Sequence, residues 1–439
     1  MPISTGLNSR TIRIGIILPE DQVRRVSLSW PADLVVASSQ DFDDNITDIT
    51  IEIEGGKFRV NLGSDQVVVD DFMLASGDNL AGLSAEHGVC VDSVVAGRGF
   101  HWEKQIQPIL PGRLLFSIVD EAILLINELS VESYVACVAT SEMGAAAPDA
   151  LLAAQTIVAR CWALASVERK HADLHFDVCN DDCCQRYQGT TYLTNHSLQA
   201  AIATENEVLV DDNDAVIDAR YSKNCGGIVE DYTTVWGEPP VPYLIPLWDG
   251  PNHPEGFAQQ DLEPLLAYQD AYCSATRFQD VDLPAMLGKV DETGSYYRWE
   301  KAVDKKVILD NLKQYFKHDW AELFEVLVLK RGASGRISHL RLAGENQLGD
   351  QVTFDLRSEY DIRRTFSESF LYSSAFVIEN AGSLEEDEAV ELRGAGWGHG
   401  VGMCQMGALG MALDGFASAD ILSHYYPGTT LKNLTDEIS

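Results

Sequence analysis

SVESYVACVATSEMGAAAPDALLAAQTIVARCWALAS, residues 130–166, is the stretch that decides the fold. Ser130 suits the N-cap of a first helix, whose apolar residues recur at helical spacing at Val131, Tyr134, Val135 and Val138. Gly144 suits the end of that helix. Pro148 suits the first position of a second helix. We therefore predict two helices joined by a short Gly/Ala turn.

A carboxylate falls on the apolar face of the first helix. At about 3.6 residues per turn, Glu142 extends this face three turns beyond Val131. A carboxyl group that loses hydration tends to stay protonated, and such a group can act as a general acid near neutral pH. The alternative is a helix-terminal Glu that reaches water, since charged residues are rarely fully buried. Spacing alone leaves both interpretations open.

The second helix carries two polar residues of interest. Gln155 interrupts an apolar stripe, and Arg160 projects from another side of the helix. A buried Gln is usually a core amide with its hydrogen bonds satisfied, and an Arg usually lies at the surface. Neither residue is assigned a function by its spacing.

The composition is that of a globular protein with a strong negative charge. The 439 residues include 32 Lys and Arg against 67 Asp and Glu, a net charge of −35. This balance argues against nucleic acid or an anionic membrane surface as a general partner. No segment approaches the roughly 20 apolar residues of a membrane span. The apolar run at 14–18 is shorter than the core of a signal peptide, so no signal peptide is recognisable and the location stays open.

The order of patterns along the chain predicts an α+β fold. Residues 11–129 contain alternating apolar segments separated by Gly, Asp and Asn, which predict strands. We expect a β-rich N-terminal domain at 1–115, and a core at 116–245 and 325–439 in which the helical pair carries the active site and strands and helices are mixed. The segment 246–324 is looser and resembles an inserted, lid-like helical region.

Cysteine and histidine are concentrated after the helical pair, in the segment 167–190. Cys179, Cys183 and Cys184 lie close together there, with His171 and His175 just upstream. Thiolate and imidazole ligands suit tetrahedral zinc, although no CxxC motif is present. Free thiols or a local disulfide are the alternatives. Of the nine cysteines, the isolated Cys137, Cys161 and Cys404 have the apolar contexts of small core residues.

Alternate residues from Gly394 to Gly402 are glycine. In a strand, these glycines would leave one face bare for a close-packed helix or a ligand, and the opposite face would carry Trp397 and His399. These two side chains suit stacking on a sugar and proton handling, or else they belong to the core. Earlier in the chain, Tyr221 and Lys223 precede a Gly pair at 226–227, which allows close approach of a ligand or makes an ordinary turn.

Taken together, the motifs resemble the SpoIID (stage II sporulation protein D) family of cell-wall lytic enzymes. The matching segments are SVESYVACVATSEM, AAQTIVARCWALAS, VCNDDCCQRYQG, the Asn-Cys-Gly-Gly turn with Trp236, SYYRW, GAGWGHGVGMCQMGALGMA and HYYPGT. They occur in the family's order over roughly 120–439. Two departures are Cys161-Trp162, where the family has Thr-Tyr, and the missing export signal; the family function would place the protein outside the cytoplasm.

The resemblance implies a lytic transglycosylase that cuts the MurNAc–GlcNAc bond of peptidoglycan and leaves 1,6-anhydro-MurNAc ends. The essential acid/base of the family falls on Glu142. Stripped glycan strands carry free lactyl carboxylates, so a nearby cation is expected to bind them. The resemblance adds Arg160, Tyr221 and Lys223 to the residues singled out by pattern, so the predicted substrate-binding residues are Gln155, Arg160, Tyr221, Lys223, Trp397 and His399.

The resemblance also implies a structural zinc and a partner. Some relatives hold zinc in the loop that corresponds to 175–184, and the ligands expected here are His175, Cys179, Cys183 and Cys184. Catalysis itself needs no cofactor, and a peptidoglycan amidase is an expected partner. The competing functions are a non-catalytic peptidoglycan-binding protein or amidase activator, a zinc hydrolase, and a cysteine enzyme built on Cys225.

Overall fold

The computed structural model describes residues 10–40, 46–99, 103–144, 146–165, 170–181, 183–252, 262–288, 296–380 and 389–435. It confirms the α+β class, with strands concentrated in the N-terminal half as expected. The chain forms two compact units: Met1–Asp218 with Pro284–Val290 and Leu431–Ser439, and Ala219–Leu283 with Asp291–Thr430. This division differs from the predicted boundary at residue 115, because the helical pair lies in the same unit as the residues before that boundary.

The helical pair of the first unit follows the central strand of a six-stranded sheet. The order of its strands is Val178–Cys179, Thr11–Ile17, Ala122–Ser130, Arg113–Val119, Phe72–Ala75 and Ala37–Ser38. Val178–Cys179 runs parallel to Thr11–Ile17, and the other neighbours are antiparallel. The central strand Ala122–Ser130 runs directly into the first helix, so the sheet fixes where that helix starts.

A second six-stranded sheet completes the β-rich part of this unit. Its strands lie in the order Ile109–Leu110, Val89–Val91, Arg25–Ser29, Asp48–Glu54, Lys57–Leu62 and Asp65–Val69. Two-stranded pairings also join Val94–Ala96 to Lys104–Ile106 and Glu207–Val210 to Thr430–Asn433. Apolar side chains of both six-stranded sheets share one core with Val131 and Tyr134 of the first helix. The alternating patterns of the sequence thus supply one buried face to each sheet.

The helices of the first unit pack as a group. They are α1 (Val131–Glu142), α2 (Asp149–Ala165) and α3 (Asn195–Ala203). Short 3₁₀ turns occur at Pro19–Asp21, Leu80–Gly82 and Ala172–Leu174. Every residue of α1 is buried. The helix therefore has no solvent-facing side, whereas the sequence pattern predicted one apolar face.

The second unit contains two three-stranded sheets. Their strand orders are Trp320–Arg331, Ile337–Asn346 and Gln351–Leu356 in one, and Arg298–Val303, Val390–Ala395 and Phe376–Ile378 in the other. Shorter pairs join Tyr221–Ser222 to Met403–Cys404 and Ile228–Val229 to Leu247–Trp248. The remaining helical segments are α4 (Tyr232–Trp236), α5 (Leu262–Ala267), the 3₁₀ turn Ala275–Phe278, α6 (Leu283–Leu287), α7 (Lys305–Phe316), α8 (Glu359–Thr365), α9 (Gln405–Leu413) and α10 (Ser418–Tyr425). Of these, α6 belongs to the first unit from Pro284 onward, and the others belong to the second unit. Across the described ranges, no helix combines the length and the apolar character needed to span a bilayer.

Candidate functional site

Glu142 lies at the C-terminal end of the buried helix α1. The helix begins at the predicted N-cap, where the Ser130 hydroxyl accepts a hydrogen bond from the Ser133 amide at 3.2 Å. From that start, three turns bring the chain to Glu142, whose exposed fraction is 9%. This narrow opening and the carboxyl group are compatible with the acid role predicted for Glu142.

The segment 185–188 covers the end of α1. The Arg186 amide donates to Glu142 Oε1 at 3.0 Å, and the Gln188 amide donates to the Ser141 hydroxyl at 3.2 Å. About two turns before Glu142 on α1, the Tyr134 hydroxyl donates to Gln185 Oε1 at 2.9 Å. Sequence reasoning did not select these residues, although they follow the cysteine cluster directly. Their backbone orients one oxygen of the carboxyl group.

Gly144 lies just past the end of α1, as predicted, but for another reason. The helix ends at Glu142, and Met143 is its C-cap. The Gly144 amide donates to the Met286 carbonyl at 3.0 Å, and a Cβ atom at Gly144 would overlap the Ala285 carbonyl oxygen. Close approach of two backbone segments therefore accounts for the glycine, without a left-handed conformation.

The structure gives Arg160 an ion-pair role instead of the predicted contact with a substrate carboxylate. Its guanidinium donates to Glu132 from Nε at 2.9 Å and from Nη2 at 2.6 Å, and Nη1 donates to the Glu207 carbonyl at 3.0 Å. Arg160 and Gln155 both have an exposed fraction of 0%. Neither side chain reaches the surface, so the structure places both in the interior of the first unit and does not support their predicted substrate-binding roles.

The cysteine cluster forms in the first unit, with a different histidine from the predicted one. The ligand atoms of His171, Cys179, Cys183 and Cys184 all lie within 4.8 Å of one another. His175 is not in this group. It follows the turn Ala172–Leu174 in a left-handed conformation, and it lines a cavity elsewhere with Arg13 and Glu128.

The donor set fits zinc. Three thiols and one imidazole match the Cys₃His ligands of tetrahedral structural zinc sites. Two contacts fix the cysteine loop to the rest of the unit. Cys179 pairs with Gly15 in the parallel strand, and Asp181 accepts a hydrogen bond from the Gly97 amide at 2.8 Å. A bound ion would fix the loop just before 185–188. Zinc at this position remains a proposal.

The glycine stretch of the second unit, from Gly394 to Gly402, departs from the regular strand that we predicted. The strand ends at Ala395, and Gly396, Gly398, Gly400 and Gly402 all have positive φ, between 72° and 93°. An L side chain in these positions would be strained. Left-handed residues at alternate positions make the backbone turn repeatedly, so no flat bare face forms.

A buried arginine explains this conformation. The turning backbone encloses the guanidinium of Arg336, which donates to the Gly398 carbonyl from Nε and Nη2, both at 3.2 Å. It also donates to the Cys225 carbonyl at 3.0 Å and to the Ser334 hydroxyl at 2.9 Å. A Cβ atom at Gly400 would overlap the guanidinium. The glycines thus make room for a fully buried cation.

Trp397 and His399 have separate surroundings. The Trp397 ring stacks on Tyr372, with centroids 4.4 Å apart. The half-buried His399 contacts the edge of Trp236, at 4.9 Å between centroids, and its Nδ1 accepts from the Val401 amide at 3.0 Å. Burial lowers the pKa of His399 well below its ordinary value, and the positive charges of Arg220, Arg336 and Arg363 lower it further. The ring is therefore neutral at neutral pH.

Tyr221 and Lys223 lie beside this region in the second unit. Tyr221 pairs with Met403 in a short parallel ladder, and the Lys223 carbonyl accepts from the Met406 amide at 3.0 Å. Glu142, Gln155 and Arg160 belong to the first unit. The structure thus divides the predicted site residues between the two units.

The helical pair, the carboxyl group at its end and the adjoining Cys/His loop all lie in one segment that matches a known family. Residues 119–210 match the model of the Stage II sporulation protein (SpoIID) family, which supports the assignment of this chain to that family. Residues 230–402 match a domain of unknown function (DUF8618). The SpoIID family is associated with peptidoglycan processing, and together with the similarity to an amidase enhancer this supports a cell-wall-related function.

Two curated relatives extend the match. An uncharacterized protein of Brachyspira hyodysenteriae is 27% identical over 320 residues, which cover 73% of this chain and 71% of that protein. The amidase enhancer of Bacillus subtilis is 24% identical over 316 residues, which cover 66% of this chain and 39% of that protein. The chain therefore spans well under half of the amidase enhancer.

Proposed function

We propose that the protein is a peptidoglycan lytic transglycosylase in which Glu142 is the single general acid and base. The observation that carries the proposal is the position of Glu142 at the end of a buried helix, 9% exposed, with Oε1 held by the Arg186 amide at 3.0 Å. Fixing one oxygen orients the carboxyl group for proton transfer at the other. The substrate is the glycan strand, stripped of stem peptides.

The chemistry needs one carboxyl group. Protonated Glu142 donates its proton to the glycosidic oxygen of MurNAc as the bond from that oxygen to C1 breaks. The resulting carboxylate takes the proton of the C6 hydroxyl of the same sugar, and the C6 oxygen bonds to C1. This gives the 1,6-anhydro end and returns Glu142 to its acid form, without water. The C6 hydroxyl is tethered to the reacting ring, so proximity favours this closure.

The state of the second carboxylate on α1 supports this chemistry over ordinary hydrolysis. Retaining and inverting glycosidases use a pair of carboxyl groups. Glu132 is fully buried and both of its oxygens accept from Arg160, so it is not available as a partner for Glu142. In the second unit, Tyr221, Lys223, Trp397 and His399 remain proposed glycan-binding residues.

The experiment compares wild type and Glu142→Gln on peptidoglycan treated with an amidase. Mass spectrometry counts 1,6-anhydro-MurNAc ends over time. Removing a general acid costs about 10²–10⁴-fold in rate, so we expect the variant to lose nearly all product. Glu86→Gln, at an exposed position, is the matched control and should keep full activity. Equal rates for Glu142→Gln and wild type would refute the proposal.

The second candidate is a non-catalytic activator of a peptidoglycan amidase, favoured by the similarity to the amidase enhancer. An amidase would then release stem peptides faster in the presence of this protein. The two candidates differ in the role of Glu142. Stimulation that survives Glu142→Gln, without anhydro ends from wild type, would select the activator.

A further inference from the structure

A second cluster of metal-ligating side chains lies in the other unit. The ligand atoms of Cys225, Asp249, Cys273 and Cys404 all lie within 4.8 Å of one another, and all four residues are buried. Asp249 and Cys273 lie 24 residues apart, and Cys225 lies 179 residues before Cys404. The fold therefore brings these groups together from distant parts of the chain. The sequence pattern had indicated that Cys404 is an ordinary core residue.

We propose that these residues form a second, structural zinc site with three thiolates and one carboxylate. The spacing agrees with a tetrahedron. Zinc–sulfur bonds of about 2.3 Å place two ligand sulfurs about 3.8 Å apart. The sulfurs of Cys225 and Cys273 are 3.7 Å apart, and Cys225 Sγ is 3.3 Å from Asp249 Oδ2. A closed site of four protein ligands is typical of structural zinc.

The buried carboxylate is the second argument. Asp249 has an exposed fraction of 0%. Among the described residues, its one ion-pair contact is with His424 Nε2, at 4.0 Å. A carboxylate is costly to bury unless a charge or a metal balances it. Zinc supplies that charge. On binding, every ligand thiol or carboxyl group that still carries a proton releases it to the solvent.

Hydrogen bonds around the cluster orient its ligands. Cys404 is the N-cap of α9, and its sulfur accepts from the Cys225 amide at 3.2 Å and the Gly407 amide at 3.3 Å. Asp249 accepts from the Cys273 amide at 3.2 Å and from the Tyr425 hydroxyl at 2.6 Å. Such outer contacts orient ligands and stabilise their anionic form.

Two arginines offset the remaining negative charge. Three thiolates and one carboxylate around a divalent ion leave an excess of negative charge. The Arg336 guanidinium donates to the Cys225 carbonyl at 3.0 Å, and Arg298 donates to the Gly226 carbonyl at 3.0 Å. Arg298 also interacts electrostatically with Cys225 and Cys273. The site thus joins four segments of the second unit, and two arginines contact the backbone beside one of its ligands.

Zinc content tests the proposal on the full chain, purified with zinc present and then dialysed. Elemental analysis and native mass spectrometry count bound zinc in wild type, Asp249→Asn and Cys404→Ser. We expect each variant to bind one zinc fewer than wild type. Cys90→Ser, outside both clusters, is the matched control and should match wild type. Equal zinc in wild type and Asp249→Asn would overturn the proposal.

A second measurement needs no variant and covers the case in which the variants fail to fold. Native wild type is alkylated with iodoacetamide before and after a chelator is added, and each cysteine is mapped by mass spectrometry. The chelator should make Cys225, Cys273 and Cys404 reactive together. A disulfide between Cys225 and Cys273, or reactivity that the chelator leaves unchanged, would overturn the proposal.

Discussion

Arg160 and Glu132 form a two-point ion pair in the interior of the first unit, with Nε–Oε1 at 2.9 Å and Nη2–Oε2 at 2.6 Å. The side chains are 0% and 1% exposed. The pair joins α2 to the first turn of α1, and Arg160 also reaches the Glu207 carbonyl. The cation that we expected to bind the substrate therefore fixes the helix on which Glu142 lies.

Arg160→Met should destabilise the first unit by about 3–5 kcal/mol, because it leaves the Glu132 carboxylate buried without a counter-charge. Urea denaturation followed by circular dichroism measures the loss. The double variant Arg160→Met, Glu132→Leu should recover much of it, since no charge then remains buried. A single variant as stable as wild type would contradict this structural role.

The two histidines near the cysteine loop give a paired test. His171→Ala should remove the first zinc site, because it deletes one of four ligands, whereas His175→Ala should leave zinc binding unchanged. Competition with a zinc-binding dye measures the affinity of each variant. The opposite result would restore the ligand set predicted from the sequence.

Gly400 and Gly428 share a φ of 78° but differ in their surroundings. A Cβ atom at Gly400 would overlap the Arg336 guanidinium, whereas nothing lies within 4 Å of one at Gly428. Gly428→Ala should therefore cost only the left-handed strain of about 1–2 kcal/mol. Gly400→Ala should lower the denaturation midpoint considerably more. Equal midpoints would contradict the enclosure of Arg336 by the glycine stretch.

His399 should make stability depend on pH. Its pKa is low in the folded state, first through burial and then through Arg220, Arg336 and Arg363, while an unfolded histidine titrates near about 6.5. Below that pH the unfolded histidine binds a proton that the folded one does not. The contribution of His399 to the free energy of unfolding is therefore complete above about pH 6.5 and is lost as the pH falls toward the folded pKa. Urea midpoints from pH 7.5 to 5 should fall less steeply for His399→Gln. An unchanged slope would refute this assignment.

Local patterns predicted the elements well. Thr11–Ile17 and Lys57–Leu62 are strands at the positions that their alternation indicates, and Ser130 caps α1 as expected. These features depend on neighbouring residues, which a sequence displays directly. Helix α8 was missed, because its seven residues show too little periodicity.

The misassigned residues depend on distant partners. Arg160 looked like a surface or substrate-binding residue because Glu132 lies 28 positions away. Alternating glycines resembled a strand because the sequence does not reveal the buried guanidinium of Arg336. Cys404 looked like a core residue because Cys225, Asp249 and Cys273 come from other segments. Spacing along the chain cannot report such contacts.

In the proposed reaction, Glu142 catalyses cleavage of the MurNAc–GlcNAc bond without water. The most direct measurement digests stripped glycan strands in water labelled with oxygen-18 and determines the mass of the new MurNAc ends. The account predicts anhydro ends that contain no label, formed by wild type and lost in Glu142→Gln. Labelled reducing ends, or anhydro ends that persist in the variant, would contradict it.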